Sequence, residues 1–358
     1  MKKPRLTICG VMSGSSLDGL DMAICNIERA PFGQFDWSIE RADTFSFPDA
    51  LSDLLMSTYE GSASNIYSVE QEFSKFSANC IKTFIDDSSV DYVGMHGHTI
   101  FHHPEDGYTV QIGNGQFIAH RIGIPVICEM RSKDIALGGQ GAPLAPTVEK
   151  YLLSEFTAFL NLGGIANISL HQDDKITAFD ITACNQPLNY LCQKHFDLPY
   201  DNEGKLAAKG KLDTDLLEKL NALPYLTMEP PKSLANTWVI NDFMSIVNDH
   251  IAPHKNKLNT IVQHMAIQTA KSLENMSPET AVYATGGGVF NKFMMKCLSS
   301  QLSKQGIVLE AADSMMAEFK EALLMALMAY LSVHELPNSF ASVTGAKKDN
   351  CNGVVYHP

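Results

Sequence analysis

The chain has 358 residues, 45% of them hydrophobic, which suffices for one or two ordinary globular domains with proper cores and argues against disorder. Its 27 Lys and Arg stand against 40 Asp and Glu, and the net charge of -13 opposes binding to nucleic acid or anionic lipid. A small-molecule substrate is favoured. The opening MKKPRLTICGVMSGSS has a basic tip but too short an apolar stretch for a signal peptide, and no later run approaches a membrane span, so a cytoplasmic protein is expected.

Apolar strand patterns at Leu6–Val11 and Met22–Ile27 flank the turn in GVMSGSSLDGLD and predict a hairpin. Helical periodicity follows at Ala50–Tyr59 and Val69–Phe84, then strands at Tyr92–Met95, Tyr108–Ile112 and Pro125–Met130. The second half repeats the scheme, with Ala158–Leu162, a Gly-Gly turn, Ala166–Leu170, a polar turn at Gln172–Lys175, and Ile176–Phe179. Helices are predicted at Asn185–Phe196, Asp213–Leu220, Asn241–Asp249 and Leu258–Leu273, a strand at Val282–Thr285, and a last long helix at Ala317–Val333. The Pro- and Gly-rich GGQGAPLAP, Gly138–Pro146, reads as the crossover between two related halves. The expected domains are 1–140, with 335–358 as a candidate addition, and 141–334. The eight cysteines, Cys9, Cys25, Cys80, Cys128, Cys184, Cys192, Cys297 and Cys351, form no CxxC pair and read as buried free thiols.

Three turns place small residues where apolar strands end: GVMSGSSLDGLD, LNLGGIAN at Leu160–Asn167 and ATGGGVFN at Ala284–Asn291. Glycine and serine let backbone N–H groups approach a phosphate that a bulky side chain would exclude, so the three together suggest a nucleotide enzyme. In the first turn Gly14, Ser15 and Ser16 offer donors, and Asp18 or Asp21 is suited to a hydrated magnesium ion. The same composition also suits an ordinary Gly-Ser hairpin. GGGVFN has Asn291 where GxGxxG has its third glycine, and no GxxxxGK[ST] occurs, which weakens Rossmann and P-loop readings. Asp180 closes the strand pattern TAFD, where a carboxylate with an ordinary pKa near about 3.9 is an ionised candidate base. A turn-forming aspartate has the same signature.

Two halves that each open strand, small-residue turn, strand, then helices resemble the actin, hexokinase and heat-shock chaperone superfamily. Within it the chain resembles the anhydro-N-acetylmuramic acid kinases over nearly its whole length. The resemblance rests on MSGSSLDGLD at Met12–Asp21, GMHGHT at Gly94–Thr99, QIGNGQFIAHRIGIPVICEMRSKDIALGGQGAPLAP at Gln111–Pro146, NLGGIAN, FDITACN at Phe179–Asn185, GGGVFN, the helix with Glu321, and VTGA at Val343–Ala346. It implies an α/β, two-lobed, actin-like (ribonuclease H-like) fold of duplicated mixed sheets with flanking helices and an interdomain cleft. It also implies ATP and Mg2+ as cofactors, a homodimer, and an anhydro-sugar kinase of cell-wall recycling.

Carried over by that resemblance, Asp180 is the base. It deprotonates a water that attacks the anomeric carbon while the released 6-oxygen takes the γ-phosphoryl group of ATP. Gly14, Ser15, Ser16, Leu17, Asp18, Gly19, Leu20, Asp21, Gly163, Gly164, Asn167, Gly286, Gly287, Gly288 and Asn291 fall to the nucleotide, with Asp18 and Asp21 on the metal through water. His96, Thr99, Arg131, Asp134, Gln140, Gly141, Asn185 and Glu321 fall to the sugar. The planar guanidinium of Arg131 suits the lactyl carboxylate of muramic acid, and a surface ion pair with Glu129 or Asp134 is the plainer alternative.

The chain departs from the family in several words. The usual TGPGN after the aspartate is ITACN, which puts Cβ atoms at Thr182 and Cys184 where glycines are usual, and His98 and Glu129 replace a Gln and an Asp. Three rival readings stand beside the kinase. One is a metal-dependent hydrolase built on His96 and His98, with His102 and His103 following at once and His171 as the candidate third ligand, while His264 falls in helix-like sequence. The second is a sugar-binding protein without turnover, and the third a kinase for another anhydro sugar such as levoglucosan.

Overall fold

In the computed structural model, residues 3–14, 17–31, 33–172, 175–230 and 232–358 are described. Ser15 and Ser16 of the first turn, and residues 173 and 174 of the predicted polar turn, lie outside them. The chain divides into two units, one of 1–154 with 319–358 and one of 155–318. The sequence reading put the divisions at 140/141 and 334/335. The difference has a physical cause: the Gly- and Pro-rich stretch and the helix Pro146–Leu152 are tied into the first unit, where Thr147 Oγ1 donates to Asn338 O at 2.9 Å and Tyr151 Oη to Pro337 O at 2.9 Å.

In the first unit, β1 (Arg5–Ser13), β2 (Gly19–Arg29) and β3 (Phe35–Ser46) form an antiparallel meander, and β4 (Tyr92–Met95) lies parallel to β1 on its other side. The hairpin β5 (His98–His103) and β6 (Tyr108–Ile112) stands apart as its own two-stranded sheet. β7 (Val126–Cys128) pairs parallel to β4, and Val354–Tyr356 closes the edge antiparallel to β7. β3, an edge strand with no buried residue held by its backbone ladder to β2, escaped the sequence reading although Phe35, Trp37 and Ile39 alternate with polar residues.

The helix Ser314–Val333 lies against this sheet, and every residue from Ala322 to Leu331 is buried. A helix apolar on all sides belongs in a core, where each Leu or Met contributes about 1.5–3 kcal/mol. Its seat is made by two glycines in register, Gly10 on β1 and Gly94 on β4. A Cβ on Gly10 would stand 1.9 Å from Ala322 O, and one on Gly94 would stand 2.3 Å from Met325 O, so backbone packs on backbone there.

The second unit repeats this plan. β8 (Ala158–Leu162), β9 (Ile165–Gln172) and β10 (Lys175–Ala183) form an antiparallel meander. β11 (Ala281–Thr285) runs parallel to β8, and β12 (Val308–Ala311) parallel to β11. Numbered within each unit, both main sheets thus place the third, second and first strands of a meander beside parallel strands added on the far side of the first. This is the duplicated mixed α/β arrangement that the sequence led us to expect. The helices Asn185–Phe196 and His254–Ser272 bury Leu188, Leu191, Ile261, Met265 and Ala266 in one core with the sheet. Among the described residues no helix is long and apolar enough to cross a membrane. Seven of the eight cysteines are buried and Cys351 is half-buried.

Candidate active site

The register of the second sheet sets out its polar residues. Thr285 pairs with Asn161, Asn161 with Asn167, and Asn167 with Asp180, which makes one row across β11, β8, β9 and β10. Residues paired in register project to one face, so the row stands beside the glycine turns that follow β8 and β11. The sequence reading identified Asn167 and Asp180 and missed Asn161 and Thr285, since only pairing brings the four together.

Asp180 does not end its strand. β10 runs on to Ala183, and the register shifts between Asp180 and Thr182, a bulge that re-aims the side chain. Three bonds from the following loop hold the residue: Tyr225 Oη donates to Asp180 O at 2.7 Å, Asp180 N donates to Lys232 O at 3.2 Å, and Leu234 N donates to Asp180 Oδ2 at 2.7 Å. Oδ1 has no hydrogen-bond partner among the described residues. Burial raises the carboxyl pKa above the ordinary aspartate value, and the Leu234 N–H partly opposes it. A half-desolvated carboxylate anchored by one oxygen, with the other open, is suited to accept a proton.

The ITACN side chains do not crowd this place. Thr182 and Cys184 are fully buried, with Thr182 Oγ1 2.9 Å from His264 Nε2 and the Cys184 thiol against Met294. Their backbone is stitched to the Gly-Gly turn, where Cys184 N and Gln186 N donate to Gly164 O, and Asn185 N donates to Gly163 O. Asn185 Nδ2 adds a bond to Leu162 O at 2.7 Å.

A cavity of about 460 Å³ opens beside the second glycine turn, lined by Asn185, Leu188, Tyr200, Gly287, Phe290 and Asn291 among others. The three glycines there differ. Gly286 has φ +82 and a Cβ on it would meet Asn161 Oδ1 at 2.7 Å, while a Cβ on Gly288 would meet Leu162 Cβ at 2.5 Å. Around Gly287, by contrast, no described atom lies within 4 Å of the Cβ position, so its glycine leaves room facing the cavity. Asn291 Oδ1 caps the helix Lys292–Leu302 by accepting from Met294 N at 3.0 Å. The sequence reading missed Tyr200 and Phe290, which line this cavity and are 56% and 44% exposed. Exposed aromatics on a loop and a turn carry no periodic signal.

The first unit gathers most of the other expected residues. His96 follows β4 and is buried; its Nδ1 lies 2.9 Å from Gly97 O, and its Nε2 lies 2.9 Å from Arg131 Nε. A carbonyl only accepts and a guanidinium only donates, so the imidazole is neutral with its proton on Nδ1. Burial, then the nearby Arg131 charge, pushes its pKa down to about 3. Arg131 also donates through Nη1 to Gly141 O at 2.6 Å, and Nη2 has no partner among the described residues. Burial lowers the Arg131 pKa to about 10, with Glu321 opposing. The expected ion pair of Arg131 with Glu129 or Asp134 is not formed: Glu129, held at φ +62, accepts from Ser132 Oγ at 2.5 Å.

Asp134 is fully buried and saturated. Oδ1 accepts from Ser339 Oγ, Thr344 Oγ1 and Asn350 Nδ2, and Oδ2 accepts from Gly141 N at 2.8 Å. It ties the Arg131–Gly141 segment to the C-terminal residues from a fully buried position. Gln140 is exposed and donates its backbone N–H to Thr344 O, and Thr99 accepts from Gln111 Nε2 at 3.3 Å. Around Glu321, burial raises the carboxyl pKa, Lys320 and Arg131 lower it, and Asp21 and Asp18 raise it, so three carboxylates share one neighbourhood. In the first turn Leu17 has φ +58, and Thr44 Oγ1 donates to Asp21 Oδ1 at 2.6 Å.

Among the described residues, His96 and His98 belong to no close group of three potential metal ligands. Besides His96, His98 Nδ1 bonds Ser13 Oγ at 2.9 Å, and His264 and His171 lie in the other unit. Among the described residues the one group of three close potential ligands is His103, Glu105 and Asp106, on the turn between β5 and β6.

One strand plan used twice, with glycine turns at the strand ends, makes a duplicated mixed α/β fold. The model of the family described as anhydro-N-acetylmuramic acid kinase matches residues 6–358, and the chain belongs to that family. A protein of Sulfurimonas denitrificans with that name is 30% identical over 97% of this chain and 98% of its own length. One from Salinibacter ruber is 31% identical over 96% and 94%. Among solved structures, component A of the (R)-2-hydroxyglutaryl-CoA dehydratase of Acidaminococcus fermentans aligns with a TM-score of 0.48 at 12% identity, covering 92% of this chain and 99% of that one. The activator of the 2-hydroxyisocaproyl-CoA dehydratase from Clostridium difficile gives 0.45 at 12%, covering 92% and 96%. The chain is a kinase.

Proposed function

We propose that this kinase uses ATP and Mg2+ to open the internal bridge of anhydro-N-acetylmuramic acid and to phosphorylate it to N-acetylmuramic acid 6-phosphate, returning cell-wall sugar to metabolism in the cytoplasm. The observation that carries the reading is Asp180, with Oδ2 held by Leu234 N–H and Oδ1 open. In the reaction the carboxylate takes a proton from water, the hydroxide oxygen bonds the anomeric carbon, and the bond from that carbon to the bridging 6-oxygen breaks. The released 6-oxygen bonds the γ-phosphorus as ADP leaves. Incubation with ATP, magnesium and the anhydro sugar should give a product heavier by one water and one phosphoryl group by mass spectrometry. Gain of phosphate without water, or no product, would overturn the reading.

The cavity beside Gly287 has the size and the aromatic lining of an adenosine site, with Tyr200 and Phe290 offering faces for stacking. Gly287→Leu should raise the KM for ATP about tenfold or more and leave the thermal midpoint unchanged, since a Cβ there has open space around it and the side chain extends toward the cavity. An unaltered KM in a steady-state titration would remove the nucleotide from this cavity.

For the metal, Asp18 and Asp21 share a neighbourhood with Glu321, where clustered negative charge favours a cation, and no three of these groups lie close enough to chelate one directly. That set fits a hydrated ion better than direct coordination. Bound there, Mg2+ would neutralise phosphate charge.

For the sugar, Arg131 presents Nη2 from a guanidinium fixed by His96 and Gly141. A carboxylate-bearing substrate gains a charge-assisted bond there. Arg131→Ala should cut kcat/KM for anhydro-N-acetylmuramic acid about tenfold more than for the same anhydro sugar lacking the lactyl group. Equal losses on both would assign the carboxylate to another residue.

A further inference from the structure

The Asp180 bulge is gripped from two sides. On one side stands the loop with Tyr225, Lys232 and Leu234. On the other, Thr182 resumes the ladder opposite Ala166, so Ile181 is the extra residue of the bulge. Thr182 Oγ1 lies 2.9 Å from His264 Nε2, and His264 Nδ1 lies 2.8 Å from Asn221 Oδ1, which also accepts from Gln268 Nε2 at 2.7 Å. Asn221 Oδ1 accepts only, so His264 carries its proton on Nδ1 and its bare Nε2 accepts the Thr182 hydroxyl. Thr182, His264 and Gln268 are all buried, and Phe243 packs on the imidazole at 5.5 Å.

We infer that the chain Thr182–His264–Asn221 is a positioning device that fixes the bulge carrying Asp180. The inference rests on the reading of Asp180 as the base. A hydroxyl at 182 is required, and the glycine usual there in the family has none, so this chain holds its base with a bond that its departure from TGPGN creates. Buried polar chains with every member paired are stiff, because breaking one bond leaves the others unsatisfied in a low-dielectric core. Thr182 and His264 are positioning residues that act through the backbone at Asp180.

Thr182→Val keeps the shape and removes the hydroxyl. It should lower kcat about 10- to 100-fold while the KM for ATP stays within about twofold, and Thr182→Ser should restore kcat to within about threefold of the parent. In a His264→Leu background Thr182→Val should cost nothing further, since the bond is already gone. Thr182→Ala removes the same hydroxyl without adding a methyl, and replaces valine in the cycle if the valine variant does not fold. Full kcat in Thr182→Val or Thr182→Ala, or losses that multiply in the double variant, would overturn the inference. Asp180→Asn separates the two claims: turnover that survives it removes the base itself, whereas a dead Asp180→Asn beside a fully active Thr182→Val removes the positioning device alone.

Discussion

Asp180→Asn should reduce formation of the hydrated, phosphorylated sugar about a thousandfold or more, with the KM for ATP little changed. The amide keeps the size of the side chain, and its oxygen can still accept from Leu234 N–H, but it cannot take a proton from water. The loss therefore measures the base and not the fold. The pH profile supplies an independent check. Burial raises the Asp180 pKa in the folded protein, and a base works only when deprotonated, so the acid limb of kcat/KM should lie above the ordinary aspartate range and activity should fall as pH drops through it. A limb at the ordinary value would mean that the carboxyl is solvated during turnover. An Asp180→Asn enzyme with more than about a tenth of the parent rate would assign the base to another group.

The second large effect is on stability. Gly10→Ala should destabilise the first unit by about 3 kcal/mol or more, because a single methyl would lie 1.9 Å from Ala322 O. That contact is backbone on both sides, so relief requires the helix Ser314–Val333 to lift from β1 and β4, and with it the buried run Ala322–Leu331. Gly94→Ala, 2.3 Å from Met325 O, should act in the same direction. Urea denaturation followed by circular dichroism reads the effect as a lower midpoint. Gly287→Leu is the control within the same experiment, since a Cβ there has no described atom within 4 Å. Equal midpoints for Gly10→Ala and the parent would mean that the helix does not depend on this close approach. Three glycines of similar appearance in sequence thus have opposite sensitivities, and only the packing around each separates them.

Much of the architecture was legible because its signals are local. The β1–β2 hairpin, β4, β6, β8 and the helix Asn185–Phe196 follow from apolar periodicity bounded by small or capping residues, and these were found at or close to their observed limits. The division into units falls after Gly138–Pro146, which has linker composition, because Asp134 and the Arg131 guanidinium bind its backbone into the first unit. The bonds of Asp134 were not legible for a related reason: its partners Ser339, Thr344 and Asn350 lie some two hundred residues away in the chain, and nothing in its own neighbourhood announces them.

The sequence by itself determined the α/β class, the repeated strand-turn-strand plan and the glycine turns, since each is written in residue type and spacing over a few neighbours, whereas Asp180 was singled out by the family resemblance. The tertiary structure alone decided that Asp180 sits on a bulge in register with Asn167, that Arg131 is fixed by a neutral His96, and that Thr182 faces His264 in the core. Those relations depend on strand register and on which helix covers which face. Both are set by long-range packing, for which a local pattern holds no information.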